Sequence, residues 1–154
     1  MKHTLATLSL CFLISVTIFA QESLRKKHFN LENGLAIQGY DPVAYFTRST
    51  ALKGKKEFAF YNHGVTYYFA NAEDKELFKN NPEKYEPEYG GWCAYAMGFK
   101  GEKVSVDPET FKIVNGKLYL FYNKFFNNTL KDWNKDEHNL HTRADANWAK
   151  ISIN

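Results

Sequence analysis

The Asn115-Gly116 pair is the sequence feature that most constrains the fold. It separates two runs rich in strand-forming residues, Phe111 to Val114 and Lys117 to Tyr122. Asn-Gly supplies the two positive φ angles that a type I′ turn requires, so these runs are expected to pair as a β-hairpin. Another two aromatic runs, Phe58 to Tyr61 and Thr66 to Phe69, flank a glycine-containing turn and predict a second hairpin.

Helix-start signals lie on either side of the Phe58 to Phe69 hairpin. Asp41 precedes a proline, a position from which its carboxylate can cap a helical turn. Asn71 can cap a helix over Ala72 to Lys79, in which Leu77 and Phe78 are expected to face the core.

The last third of the chain combines one short strand with helices. Lys103 to Val106 is expected to be a strand, whereas Asn123 to Trp133 and Thr142 to Ile151 have helical apolar spacing. His138 and His141 fall between those two helices, where solvated side chains are expected. The predicted fold class is therefore α+β, with small antiparallel β-hairpins packed against short helices and two C-terminal helices.

The N-terminus has the pattern of a secretory signal peptide. Lys2 is followed by an apolar run from Leu5 to Phe19, and Ala20 precedes a polar segment. The run is shorter than the ~20 residues that span a bilayer, so we expect cleavage and a secreted or periplasmic protein, with membrane association only if the signal is uncleaved. Residues 21–34 are expected to be a flexible segment and residues 35–154 a single domain.

Composition limits the other possibilities. Removing 20 of the 154 residues leaves 134, which suffices for one core. The formal net charge of +3 predicts no nucleic-acid partner. Cys11 lies in the signal segment, so Cys93 would be alone in the mature chain and could form no internal disulfide. Stability must come from packing, in a chain that is 17% aromatic.

Cys93 is the centre of the strongest functional hypothesis. It lies in the stretch Tyr89 to Met97, where a short helix would place Cys93 and Met97 on one face. Thiolate and thioether are soft ligands that select Cu(I), and His63, in the turn of a hairpin, could be brought to them by folding. The sequence therefore predicts a metal site, most plausibly for copper, built from Cys93, Met97 and His63.

Two other functions stay open. Cys93 could be a buried structural thiol beside a pocket for a small molecule or partner, in a binding domain that needs no thiol chemistry. Alternatively, Cys93 could be the nucleophile of a thiol-dependent enzyme, although the sequence shows neither a resolving cysteine nor a Cys-His motif. The residues expected to wall the pocket are Tyr40, Asp41, Tyr45, Trp92 and Tyr95.

Several short motifs occur along the chain in a specific order. They are Gln38-Gly39-Tyr40-Asp41-Pro42-Val43-Ala44-Tyr45-Phe46, Tyr68-Phe69-Ala70, Phe78 with Pro82 and Tyr85, Pro87 with Tyr89-Gly90-Gly91-Trp92-Cys93-Ala94, Gly116-Lys117-Leu118-Tyr119-Leu120, and Ala144-Asp145-Ala146-Asn147-Trp148. Taken together, these motifs resemble the secreted single-domain members of the YHS domain family. This resemblance implies a YHS or treble-clef-like fold and, because related modules occur in copper-transporting ATPases, a link to heavy-metal handling. Many of those modules carry several cysteines, whereas this chain offers Cys93 alone.

Overall fold

The structure, a computed structural model, describes residues 22–153 and has the predicted α+β class. The predicted signal peptide, residues 1–20, lies outside the described residues. Within the described part of the chain, no helix is both long enough and apolar enough to span a membrane.

A four-stranded sheet forms the first half of the domain. Its strands are β1 (Leu31–Glu32), β2 (Leu35–Ala36), β3 (Lys55–Asn62) and β4 (Val65–Phe69), in the order β1-β2-β4-β3. Strands β3 and β4 form the antiparallel hairpin that the sequence predicts, and β2 joins β4 in parallel. Alternate residues of β4 are buried, as the two-residue period of a strand requires.

Three short helices pack beside this sheet: α2 (Pro42–Arg48), α3 (Ala72–Asn80) and α4 (Pro82–Tyr85). Asp41 and Asn71 cap α2 and α3 as predicted, each accepting hydrogen bonds from backbone N–H groups. Phe78 is fully buried, but Leu77 is 37% exposed, so its predicted inward orientation is wrong. Successive helical residues point about 100° apart, and the narrow inward face of α3 takes Asp74 and Phe78 instead.

Strand β6 lies between two hydrophobic cores. Strands β5 (Asp107–Val114) and β6 (Lys117–Phe121) form the predicted hairpin, with φ angles of 52° at Asn115 and 74° at Gly116. Leu118 and Leu120 of β6 join the core formed with the four-stranded sheet. Tyr119 and Phe121, which point the other way, join a second core with the C-terminal helices.

The second core is closed by α5 (Ala94–Lys100), α6 (Thr129–Trp133) and α7 (Glu137–Ser152). Helix α7 begins before the predicted Thr142 and includes His138 and His141, which were expected in a linker. Helices α5 and α7 approach so closely at Gly98 that a Cβ there would overlap the Leu140 carbonyl oxygen.

The predicted helix from Asn123 to Trp133 is wrong in its first half. Residues Asn123–Lys124 (β7) and Asn127–Asn128 (β8) form a small antiparallel hairpin instead. Thr129 closes its base, because both its N–H and its hydroxyl donate to the Tyr122 carbonyl oxygen, at 3.0 and 2.8 Å. The Asn128 side chain then caps α6 by accepting from Leu130 N–H, so the helix begins only at Thr129.

The predicted strand Lys103 to Val106 is also wrong. The segment has no regular secondary structure, and β5 begins only at Asp107. The Val104 carbonyl oxygen accepts a hydrogen bond from the Cys93 N–H at 2.9 Å. This contact holds the segment against the start of α5 without building a ladder.

The N-terminal segment, which was predicted to be flexible, makes contacts with the rest of the domain. Residues 22–28 form helix α1, whose Arg25 makes a 2.6 Å ion pair with Glu86. Phe29 lies against Trp148 of α7, with ring centroids 6.4 Å apart. Both rings cover Gly90, where an added Cβ would come within 2.9 Å of each. The segment therefore contacts both Glu86, which follows α4, and helix α7.

Candidate ligand-binding cleft

Cys93 occupies the N-cap position of α5. The chain reaches it through a 3₁₀ turn, Glu88–Gly91, in which Tyr89 and Gly90 have positive φ angles. Cys93 itself is not helical, with φ −58° and ψ 116°, and it forms a parallel bridge with Leu120 of β6. Its side chain is fully buried.

The Cys93 sulfur has two hydrogen-bond partners. It accepts from the Tyr122 N–H at 3.3 Å and lies 3.4 Å from the Thr129 hydroxyl oxygen. Because Thr129 already donates its own hydroxyl proton to the Tyr122 carbonyl oxygen, we infer that the Cys93 S–H donates to Thr129. The surroundings therefore satisfy a protonated thiol.

A cleft of about 310 Å³ opens beside Cys93. Cys93 and Thr129 form its floor, and Tyr95 and Phe99 form one wall. Those two rings are stacked, with centroids 5.4 Å apart and planes 13° from parallel, as their four-residue spacing on α5 allows. Lys100, Glu102 and Asn127 add polar groups among largely apolar neighbours.

Of the five residues predicted to wall a pocket, the structure brings Tyr95 alone to this cleft. Tyr45 is buried and donates to the Pro108 carbonyl oxygen at 2.9 Å. Tyr40 donates to Glu109 at 2.9 Å, and its ring lies under the Lys53 ammonium. The indole N–H of Trp92 donates to the His28 carbonyl oxygen at 2.6 Å. Each of these side chains has a partner that holds it in place.

Asp41, the fifth residue, belongs to a buried acidic pair with Asp74. Asp41 accepts from the N–H groups of Val43 and Ala70, both at 2.8 Å. Burial, followed by a hydrogen bond with Asp74, raises the pKa of Asp41 to about 6. Burial also acts to raise the pKa of Asp74, but its hydrogen bonds with Arg48 and Asp41 outweigh this and lower that pKa. Below about pH 6, the pair therefore holds one proton on Asp41 and one charge on Asp74.

The residues predicted for copper do not form a soft donor set around Cys93. Met97 packs in the second core, whereas Cys93 belongs to the first. His63 lies in the β3–β4 turn, where its carbonyl oxygen accepts from Arg25. Among residues 22–153, no three His, Cys, Asp or Glu side chains are grouped to hold a metal ion. Among the described contacts, Cys93 is therefore the one soft side chain at this position, and the predicted copper site stays a prediction.

A second cleft, of about 390 Å³, lies beside α7 and was not predicted. The Tyr119 hydroxyl is 2.9 Å from His141 Nε2 at its edge. Nearby, Tyr89 donates to Asp145 at 2.8 Å, and Asp145 lies 3.8 Å from His141. No sequence pattern indicated this network, because His141 was expected in a linker.

No protein-family model matches the chain, and searches of curated proteins and of solved structures found no match either. Fold and site together define a small α+β domain with a largely apolar cleft over a buried thiol.

Proposed function

We propose that this protein is an exported single-domain binding protein that holds a small, mainly apolar ligand in the cleft beside Cys93. The cleft itself carries the proposal: about 310 Å³ of space, at the lower end of the roughly 300 to 1,000 Å³ typical of ligand pockets. The predicted signal peptide supports export.

The stacked rings of Tyr95 and Phe99 favour a planar, unsaturated ligand. Aromatic pairs attract further rings in offset or edge-on arrangements, and the wall formed by these two side chains offers such a surface. Lys100 and Glu102 beside the cleft offer one cationic and one anionic group to the polar part of the same ligand.

Cys93 contributes to this site as part of its floor. A thiol that is buried and hydrogen-bonded as both donor and acceptor has the character of a structural cysteine. A nucleophilic role would need a base beside the sulfur, and its two hydrogen-bond partners are a hydroxyl group and a backbone N–H.

The YHS resemblance and its implied copper binding stay predictions. A Cu(I) titration against a competing chelator, with Cys93→Ser as the control, tests them separately. Stoichiometric binding that is lost in the variant would establish a copper site and would show that the donors rearrange around the metal.

The cleft proposal is tested by titrating the anionic aromatic dye anilinonaphthalene sulfonate and following its fluorescence. Ala96 lines the cleft on α5, so Ala96→Phe is expected to fill it and raise the Kd for the dye by at least about tenfold. Ala149→Phe makes the same change at an exposed position of α7 and is the matched control.

Circular dichroism and melting curves establish that both variants are folded before the dye affinities are compared. Equal dye affinity in folded Ala96→Phe and in the wild type would refute the proposal.

A further inference from the structure

The tip of the β7–β8 hairpin presents two phenylalanines to solvent. Phe125 is 89% exposed and Phe126 is 111% exposed. Single exposed apolar residues are common on protein surfaces, but two adjacent rings that are almost wholly exposed contribute little to the core. The Phe125-Phe126 tip therefore needs an explanation outside the folding of the domain.

The backbone conformation of the tip also indicates a role outside the folding of the domain. Both phenylalanines have left-handed φ angles, 51° and 68°, which bulky residues rarely adopt. The Asn115-Gly116 turn has nearly the same pair of φ angles, 52° and 74°, but uses the residues that tolerate them. The β5–β6 turn thus has Asn-Gly at these positions, whereas the β7–β8 turn has two strained phenylalanines. Backbone strain of this kind is typical of functional positions.

Two exposed lysines flank the tip in sequence. Between residues 110 and 131 the chain has four lysines and no Asp or Glu. Lys112 and Lys117 pair with carboxylates from other elements, but Lys124 and Lys131, on either side of the tip in sequence, are exposed. Lys100 and Glu102 both line the cleft that Asn127 of β8 borders, so this side of the hairpin carries one cation and one anion.

We propose that the Phe125-Phe126 tip inserts into the interface of an anionic lipid bilayer. A convex turn of two residues can bury both rings in a fluid phase that needs no complementary pocket. Exposed phenylalanine rings bury at the boundary between the headgroups and the acyl chains of a bilayer. Exposed lysines beside the inserted rings would remain at the surface and attract anionic headgroups. This proposal does not depend on the cleft binding a ligand.

The test is co-sedimentation with lipid vesicles. The protein starts at Gln21, after the predicted cleavage site, because the apolar run Leu5 to Phe19 could itself bind lipid. Wild type is expected to bind vesicles of mixed phosphatidylcholine and phosphatidylserine, and to bind pure phosphatidylcholine more weakly. The double variant Phe125→Asn/Phe126→Gly has residues suited to the turn, so it should fold and yet bind the mixed vesicles at least about tenfold more weakly.

Tyr61→Ser removes an exposed aromatic ring from β3 and is the matched control, which should bind like the wild type. High salt should weaken wild-type binding. Absence of wild-type binding to the mixed vesicles would overturn the proposal, and so would unchanged binding by the double variant. Self-association of the wild type that disappears in the double variant, without vesicle binding, would assign the tip to a protein contact and overturn it as well.

Discussion

The buried pair of Asp41 and Asp74 predicts that the free energy of unfolding depends on pH in an unusual direction. The pKa of Asp41 is raised from 3.8 to about 6 in the folded protein. The folded state therefore keeps a proton on Asp41 at pH values where the unfolded chain has lost it. The stabilisation from this proton is complete below pH 3.8 and is lost as the pH rises through about 6.

The size of the effect follows from the two pKa values. Their difference corresponds to about 3 kcal/mol over the full titration, and to about 1 kcal/mol between pH 7 and pH 5. Asp74 affects the free energy of unfolding at lower pH than Asp41 does. Its pKa is lowered in the folded protein, so the stability that it contributes is lost only as the pH falls below its ordinary pKa of 3.8. Asp41 is fully buried, so solvent screens its interactions only weakly.

Histidines titrate in the same pH range and must be separated from Asp41. Burial lowers the pKa of His28 in the folded state, so its contribution decreases as the pH falls, opposite in sign to that of Asp41. The relevant quantity is therefore the difference in unfolding free energy between wild type and Asp41→Asn. Asparagine can still cap α2, but it cannot take up the proton.

Urea unfolding followed by tryptophan fluorescence at pH 5, 6 and 7 gives this difference. The free energy of unfolding of the wild type minus that of Asp41→Asn should be about 1 kcal/mol larger at pH 5 than at pH 7. Glu57→Gln removes an exposed carboxylate of β3 and controls for the loss of one acidic group. A difference that is the same at all three pH values would show that Asp41 holds no proton in the folded protein.

Three other perturbations have defined outcomes. The Phe125→Asn/Phe126→Gly variant should be more stable than the wild type by about 1 kcal/mol in urea unfolding, because it relieves two left-handed phenylalanines; a loss of stability would contradict the assignment of strain. Gly98→Ala should be less stable, since overlap with the Leu140 carbonyl oxygen costs about 1–3 kcal/mol and outweighs the gain of up to ~1 kcal/mol in helix propensity; a more stable variant would show that the two helices can separate without loss. Cys93 should react slowly with an aromatic disulfide reagent until urea unfolds the chain, because its side chain is buried; labelling of the native protein as fast as that of the unfolded chain would disprove its burial.

The parts of the fold predicted from sequence are those governed by local backbone chemistry. Asn115-Gly116 determines the turn of the β5–β6 hairpin by its φ angles, and Asn71 caps α3 with its own side chain. The β7–β8 hairpin was missed because its turn lacks such a local signal. Phe125-Phe126 has no turn signature, so apolar spacing alone suggested a helix there.

The cleft could be predicted only in part, because distant segments build it. Helix α5 contributes Tyr95 and Phe99, while Tyr122 and Thr129 come from either end of the β7–β8 hairpin. Their meeting depends on how that hairpin folds back on α5. Tyr95 was identified because it is close to Cys93 in sequence, whereas the other three residues require the tertiary structure.

The separation of Cys93 from Met97 has a local cause. Residues four apart share a helical face when both are helical, but Cys93 is the N-cap, with non-helical backbone angles. Its side chain therefore turns to the first core, whereas Met97 turns to the second. The spacing rule that suggested a two-sulfur site fails at the helix boundary.

The position of Cys93 also connects the two proposed surfaces. Its sulfur contacts Tyr122 N–H and the Thr129 hydroxyl, the residues that close the base of the β7–β8 hairpin. Cys93 and Thr129 form the floor of the cleft, and the same hairpin carries the Phe125-Phe126 tip at its other end. A ligand in the cleft would thus touch the residues that orient the tip. We therefore expect a ligand that displaces Thr129 to change the affinity of the protein for lipid vesicles. Thr129→Val removes the hydroxyl group but keeps the side-chain shape, so the ligand should change vesicle affinity less in this variant.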